Sequence, residues 1–269
     1  MTQTLAPASQ PDALDHFDEI ITRMAGRSPA LFLDYDGTLV PLARRPELAI
    51  APPELLTALS RLAALMPVAV VTGRGRPDVM QMLGVKGIAY AGSHGFDIVD
   101  AEGKDLSGDI GDAFLPALRE ASLALTAFLD PIDGAFLEDK IYSLAIHYRE
   151  VAPARHDDIA AAVEAEAARH PTLKKAGGKM IHELRPDIEW NKGTAILHVM
   201  EAMGLTSDTS MPFYIGDDET DEDGFRAIRE IGVGIKVGGG SAPTEAHYSL
   251  ETPASVWTFL SQLTDNRSQ

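Results

Sequence analysis

Two carboxylates, Asp34 and Asp36, stand two residues apart at the end of an unbroken apolar run, Ala30–Leu33, and Gly37 and Thr38 follow them. An extended backbone puts alternate residues on one side, and Gly37 lets the chain turn away immediately afterwards. Unpaired buried charge is costly, so acids at the mouth of a core strand point to metal binding or to a reaction. Two further apolar runs end in the same way. Val68–Val71 leads into Thr72-Gly73-Arg74, and Phe213–Ile215 leads into Gly216-Asp217-Asp218-Glu219-Thr220-Asp221-Glu222-Asp223. Taken singly these are weak: Asp-Gly is a turn signal, and Asp221, Glu222 and Asp223 could be first-turn acids favoured by a helix dipole. Their repetition, in order and each after an apolar strand, favours chemistry.

The residue types say which chemistry. Several carboxylates with no cysteine or histidine among them make a hard oxygen donor set suited to Mg²⁺. Lys192 stands in the first turn of a helix that Asn191 can cap, where the macrodipole disfavours a cation. Carboxylates together with a phosphoryl group would compensate it. A metal, a carboxylate nucleophile, an acid/base carboxylate, a hydroxyl and a lysine add up to phosphoryl transfer.

Such a site needs a scaffold that brings distant stretches together. Apolar runs without alternation at Ala30–Leu33, Val68–Val71, Ile88–Ala91, Phe213–Ile215 and Gly232–Val237 read as strands buried on both faces. Helical spacing at Leu14–Met24, Glu54–Leu65, Asp78–Leu83, the stretch after Asn191, Phe225–Arg229 and Val256–Leu263 separates them. Alternating strands and helices imply a right-handed parallel α/β sheet, whose ligands sit beyond the carboxyl ends of the strands. The polar clusters therefore meet at one edge. The middle of the chain differs. Helices at Ala113–Leu129 and Asp157–Ala168 accompany strands at Phe136–Lys140, Tyr142–Arg149 and Lys179–Arg185, which alternate as one-sided strands do. The expected organisation is an α/β core formed by 1–107 and 185–269 with an inserted α+β unit at 108–184.

Composition narrows the partners. The 269 residues suffice for a full core, and 23 basic against 40 acidic residues leave a net charge of −17. That argues against nucleic acid or an anionic membrane as partner but not against an anionic small molecule in a local positive pocket. With no cysteine, neither a disulfide scaffold nor a thiolate metal site is available. No apolar run reaches the roughly 20 residues of a membrane span, and the polar start lacks the features of a secretory signal. A cytoplasmic, soluble monomer is expected.

Asp34-Tyr35-Asp36-Gly37-Thr38 resembles the DxDGT signature of the haloacid dehalogenase (HAD) superfamily, with Thr72, Lys192 and Gly216-Asp217-Asp218 similar to its second, third and fourth motifs. Together with Gly92-Ser93-His94-Gly95, Glu183-Leu184-Arg185-Pro186 and Asn191-Lys192-Gly193, the set resembles the trehalose-6-phosphate phosphatase family over about residues 28–240. Ile141 departs from that pattern, standing where glycine is expected. The resemblance implies a Rossmann-like HAD core with an inserted cap domain that gives substrate specificity, Mg²⁺ as cofactor and a sugar phosphate as substrate. It implies catalytic roles for Asp34, Asp36, Thr72 and Lys192, and a metal site from Asp34, Asp36, Asp217 and Asp218 or Asp221. Substrate contacts are expected from Gly73, Arg74, Ser93 and His94 in the core and from Glu138, Lys140, His147, Arg149, Lys179 and Glu183 in the insert. Competing readings are a phosphatase for another glycosyl phosphate, of sucrose-, glucosylglycerol- or mannosylglycerate-type, and a non-catalytic partner of a trehalose-phosphate synthase. Asp34, Asp36 and Lys192 together argue against the last.

Overall fold

The computed structural model describes residues 10–178, 180–239 and 242–267. They divide into two compact units, one of 1–106 with 190–269 and one of 107–189. The second unit does not stop at Leu184, because the strand containing that residue continues to Pro186.

In the first unit the chain runs α1 (Phe17–Arg23), β1 (Ser28–Leu33), α2 (Pro53–Ala63), β2 (Val68–Val71), α3 (Arg76–Leu83), β3 (Ala89–Gly92) and β4 (Asp97–Val99). The second unit supplies α4 (Leu115–Leu129), β5 (Phe136–Asp139), β6 (Leu144–His147), α5 (His156–Arg169), β7 (Leu173–Gly178) and β8 (Ile181–Pro186). The first unit then resumes with α6 (Lys192–Ala202), β9 (Ser210–Gly216), α7 (Asp221–Ile228), β10 (Val233–Val237), β11 (Tyr248–Leu250) and α8 (Pro253–Arg267).

Among the described residues the core sheet has the order β11-β10-β9-β1-β2-β3-β4, parallel except for β4. The lack of alternation in the central strands has a direct cause. Leu31, Leu33, Val70 and Ile215 pack against α1, α2, α3 and α8, while Phe32, Val71 and Tyr214 on the other face pack against α6 and α7. Register aligns the strand ends: Leu33 lies opposite both Val70 and Ile215. Asp34, Thr72 and Gly216 thus leave the sheet at nearly the same level. The start of α6 is set by a capping box, with Asn191 Oδ1 accepting from Thr194 N at 3.0 Å and Thr194 Oγ1 accepting from Asn191 N at 2.8 Å. That box fixes Lys192 as the first helical residue.

The second unit's sheet is antiparallel, β5-β6-β8-β7, with α4 and α5 packed on the face that carries Leu144, Ile146 and Leu184. Two sequence expectations change here. Strand β6 ends at His147 rather than Arg149, so Arg149 lies in the following turn. Strand β7, Leu-Lys-Lys-Ala-Gly-Gly, has neither alternation nor β-branched residues, yet pairs along all of β8 as an edge strand, and its lysines suit an edge. Ile141, where glycine was expected, has φ +70°, a conformation unfavourable for a β-branched residue. Among the described residues no helix is long and apolar enough to cross a membrane.

Candidate active site

Asp34 extends β1 by one rung, its N–H donating to Ile215 O at 2.9 Å, and its side chain is buried. Lys192, buried at the head of α6, donates to Asp34 Oδ1 at 2.8 Å and to Asp221 Oδ1 at 2.6 Å. Asp221 is fully buried and more than a first-turn acid. Its Oδ1 also accepts from the Tyr214 hydroxyl, and its Oδ2 accepts from the backbone N–H of Asp217 at 2.8 Å and of Asp218 at 3.0 Å. One carboxylate therefore ties together α6, β9 and the loop that carries the other acids. One ligand oxygen from each of Asp34, Asp217 and Asp221 lies within 4.8 Å of the others. Gly37 makes the approach possible: at φ +77° it turns the chain, and a side chain there would occupy the space of the Asp217 carboxylate.

Charge in this cluster is unbalanced. Burial works against the Lys192 ammonium, but Asp221, Asp34 and Asp218 outweigh it and hold its pKa well above that of an ordinary lysine. Burial pushes Asp34 well above the usual carboxylate range; Lys192 opposes the shift, while Asp221 and Asp217 add to it. Asp217 is pushed up to about 7 by burial and by the charges of Asp221 and Asp218. Burial would also raise Asp218, but Lys192 and the two Thr220 donors, N at 2.8 Å and Oγ1 at 2.7 Å, hold it below the ordinary value. A buried set of oxygen donors with more negative charge than one lysine can neutralise fits a hard divalent cation.

The imbalance has a measurable consequence. Asp217 has a folded pKa of about 7 against an ordinary value of 3.8. Its contribution to stability is fully present below about pH 4 and is lost as pH rises through 7. In EDTA, the protein is expected to lose up to about 4 kcal/mol from this group between those limits. Saturating Mg²⁺ or the substitution Asp217→Asn should flatten the dependence, which denaturant melts at stepped pH would measure.

Asp36 faces a different partner. Both its oxygens are held by Arg74, Nε to Oδ2 at 2.6 Å and Nη2 to Oδ1 at 2.8 Å. The same buried guanidinium donates to Asp78 Oδ2 at 2.9 Å and to Pro46 O at 2.9 Å and lies over the Tyr35 ring at 5.2 Å. Arg74 is thus a clamp on Asp36, with each guanidinium nitrogen already engaged. Thr72 is buried at the end of β2, its Oγ1 accepting from Arg74 N at 3.2 Å. Ser93 and His94 both take positive φ, +50° and +57°. The turn is held by Ser93 N to Arg74 O at 2.7 Å and His94 N to Thr72 O at 2.9 Å. Gly73 leaves room for the His94 ring, which a Cβ there would meet at 2.8 Å. Of the five residues expected around a metal, the structure gathers the carboxylates of Asp34, Asp217 and Asp221. It commits the Asp36 carboxylate to Arg74 and one Asp218 oxygen to Thr220.

Of the residues expected to contact substrate from the insert, those described lie within the second unit. Glu138 Oε2 and His147 Nε2 are 2.9 Å apart, and Glu183 Oε1 accepts from Ser143 Oγ at 3.0 Å with Lys140 Nζ at 3.8 Å. Register puts Glu138, Ala145 and Glu183 side by side, so Glu138, His147 and Glu183 share one face. Arg149 is exposed in its turn, and Lys179 lies outside the described residues. Sequence reasoning missed Tyr214, whose place in an apolar strand reads as core, and it missed the direction of Arg74. The signal for Arg74 was its position two residues after Thr72, just past the carboxyl end of β2, the strand that pairs with β1.

The family profile described as Trehalose-phosphatase matches residues 32–254. A probable trehalose-phosphate phosphatase 2 of Oryza sativa subsp. japonica is 36% identical over 95% of this chain and 73% of its own length. The trehalose-phosphate phosphatase of Mycobacterium tuberculosis is 38% identical over 94% of this chain and 65% of its own, so the chain spans just under two thirds of that relative. A solved trehalose-6-phosphate phosphatase related protein superposes with a TM-score of 0.79 at 27% identity, covering 90% of this chain and 99% of that one. At the level of fold alone, a haloacid dehalogenase-like hydrolase from Bacteroides thetaiotaomicron matches with a TM-score of 0.63 at 15% identity, covering 88% of this chain and 100% of that one.

Proposed function

Because this chain belongs to the trehalose-phosphatase family, we propose that it hydrolyses trehalose 6-phosphate to trehalose and inorganic phosphate through an aspartyl-phosphate on Asp34. The observation that carries the reading is the buried Asp34 carboxylate at the end of β1, held by Lys192 at 2.8 Å beside Asp217 and Asp221. An Asp34 oxygen attacks phosphorus in line, forming the acyl-phosphate bond as the bond from phosphorus to the sugar oxygen breaks. Asp36 gives that departing oxygen its proton, then takes a proton from the water that cleaves the aspartyl-phosphate, freeing Asp34 and phosphate. Arg74 keeps Asp36 beside β2 and yields at least one of its two bonds while Asp36 handles protons. Thr72 and Lys192 hold phosphoryl oxygens. Asp34, the Asp36 backbone carbonyl and Asp217 would hold Mg²⁺, and Asp221, saturated by Lys192, Tyr214 and two backbone donors, orients that set. When bound, the cation supplies electrostatic stabilisation of the transferring phosphoryl group and offsets the carboxylate charge.

Phosphate-monoester hydrolysis needs up to ~10²¹-fold acceleration, far beyond the ~10²–10⁴-fold of one acid/base. Positioning and electrostatics must provide the rest, which suits so enclosed a charged cluster. The second unit is assigned to substrate selection through Glu138, Lys140, His147 and Glu183, whose charges suit sugar hydroxyls that both donate and accept. The net charge of −17 accords with a small sugar phosphate rather than nucleic acid or membrane as partner, and a cytoplasmic monomer is part of the proposal. Phosphate release from a panel of sugar phosphates, with Mg²⁺ and with EDTA, tests the reading. Preference for trehalose 6-phosphate, abolished by chelation, is expected. Equal turnover of unrelated sugar phosphates would reduce the assignment to a generic sugar phosphatase.

A further inference from the structure

Asp78 belongs to no motif of the sequence, and an acid in the first turn of a helix is favoured there without any partner. Its place in α3 nevertheless gives it one. Asp78 Oδ2 accepts from Arg74 Nη1 at 2.9 Å, the guanidinium nitrogen that does not bind Asp36. Arg74 has five N–H groups, and five acceptors meet them: both Asp36 oxygens, Pro46 O, Asp78 Oδ2 and, at 3.2 Å, Met82 Sδ. The Asp36 side chain is 32% exposed against 7% for Arg74, so a partly open carboxylate takes its orientation from a buried cation. That cation stands in the loop between β2 and α3 and is only as fixed as its other contacts make it. Pro46 O is a neutral acceptor, whereas Asp78 is a second carboxylate, anchored on the helix.

We propose that Asp78 is a positioning residue for phosphoryl transfer, holding Arg74 from behind so that Asp36 stays aimed at the departing sugar oxygen. The proposal rests on the phosphatase reading and adds to it a residue that acts only through Arg74. In the first step Asp34 forms its bond to phosphorus, the bond to the sugar oxygen breaks, and the proton on Asp36 passes to that oxygen. At least one Arg74–Asp36 bond opens as this happens, and Asp78 and Pro46 O are then what keep the guanidinium in place. Without Asp78 the cation follows Asp36 instead of steadying it. A small misplacement of a reacting group is enough to cost turnover.

Steady-state kinetics of the full chain with trehalose 6-phosphate and Mg²⁺ decide it. Asp78→Ala is expected to lower kcat about 5- to 30-fold with KM within about threefold, the pattern of an interaction lost in the transition state. The side chain is 48% exposed, so the variant should fold. If it does not, Asp78→Ser takes its place and should show the same split. Asp78→Glu, which keeps a carboxylate for Arg74, should return kcat to within about threefold of wild type. Loss of a first-turn acid weakens α3 whatever stands at position 74, so a double-mutant cycle separates the two roles. In an Arg74→Gln background, Asp78→Ala should change kcat by less than about twofold. A kcat within about twofold of wild type in the Ala or Ser variant would overturn the proposal, as would a loss carried by KM. So would a Glu variant no better than Ala, or an undiminished loss beside Arg74→Gln. Absence of trehalose 6-phosphate turnover by the wild-type chain would instead overturn the reading beneath it, and the proposal with it.

Discussion

Asp34→Asn is expected to lower phosphate release from trehalose 6-phosphate by about 10⁴–10⁶-fold while leaving the fold intact. The asparagine side chain has the same shape and keeps an oxygen for Lys192 at the place where Asp34 Oδ1 now accepts at 2.8 Å. An amide, however, does not form the acyl-phosphate bond, so the two-step route is closed. The stability side of the prediction has the opposite sign. Burial already pushes the Asp34 carboxyl well above its usual range, with Asp221 and Asp217 adding to it. Removing that charge relieves repulsion in the metal-free protein. In EDTA the variant should therefore melt at or above the wild-type temperature. Near-normal turnover in Asp34→Asn would remove this residue from the role of nucleophile. A large loss of stability would mean that its charge is structural.

Why Asp34 could be found without coordinates, and why the partners of other site residues could not, has a physical explanation. Strands buried on both faces cannot alternate, so Ala30–Leu33 and Val68–Val71 stand out in the sequence, and a parallel sheet brings their carboxyl ends together wherever they lie in the chain. The register of Leu33 opposite Val70 and Ile215 is the outcome of that constraint. Asp221 was harder to read because an acid in a helix's first turn is favoured by the dipole with no specific partner. Only the packing of α6 against α7 and β9 brings Lys192 and Tyr214 onto its oxygens. Arg74 depends on a rotamer that residue spacing does not determine. Strand β7 carries two lysines and two glycines and forms because β8 offers it a partner edge, not through any preference of its own.

Lys192→Met tests the electrostatic side of the site. The ammonium is 3% exposed and is held by Asp34 at 2.8 Å and Asp221 at 2.6 Å. Methionine keeps much of the volume but removes the positive charge that Asp34, Asp217 and Asp221 share. Breaking a buried ion pair by deleting one partner costs about 3–5 kcal/mol. For a chain of this size, that corresponds to a fall in Tm of roughly 5–20 °C in EDTA. The direction with pH follows from which species needs the lysine. Protonated carboxyls do not require a counter-charge, so the penalty should shrink toward about pH 4 and be greatest above about pH 7, where Asp217 is ionised in the wild-type fold. Mg²⁺ is proposed to bind the same oxygens and would supply positive charge there. Its addition should consequently raise the Tm of the variant by more than that of wild type at equal free metal. Turnover should nevertheless stay about 10²–10⁴-fold down, because a cation among the carboxylates would not replace the N–H donor that Lys192 is proposed to offer the phosphoryl group. Lys192→Arg is not a conservative control: a guanidinium does not fit where a single buried ammonium bridges two carboxylates. Thermal melts across pH, with and without Mg²⁺, separate these effects. A variant that melts like wild type in EDTA at neutral pH would show that the carboxylate cluster is balanced by something other than Lys192.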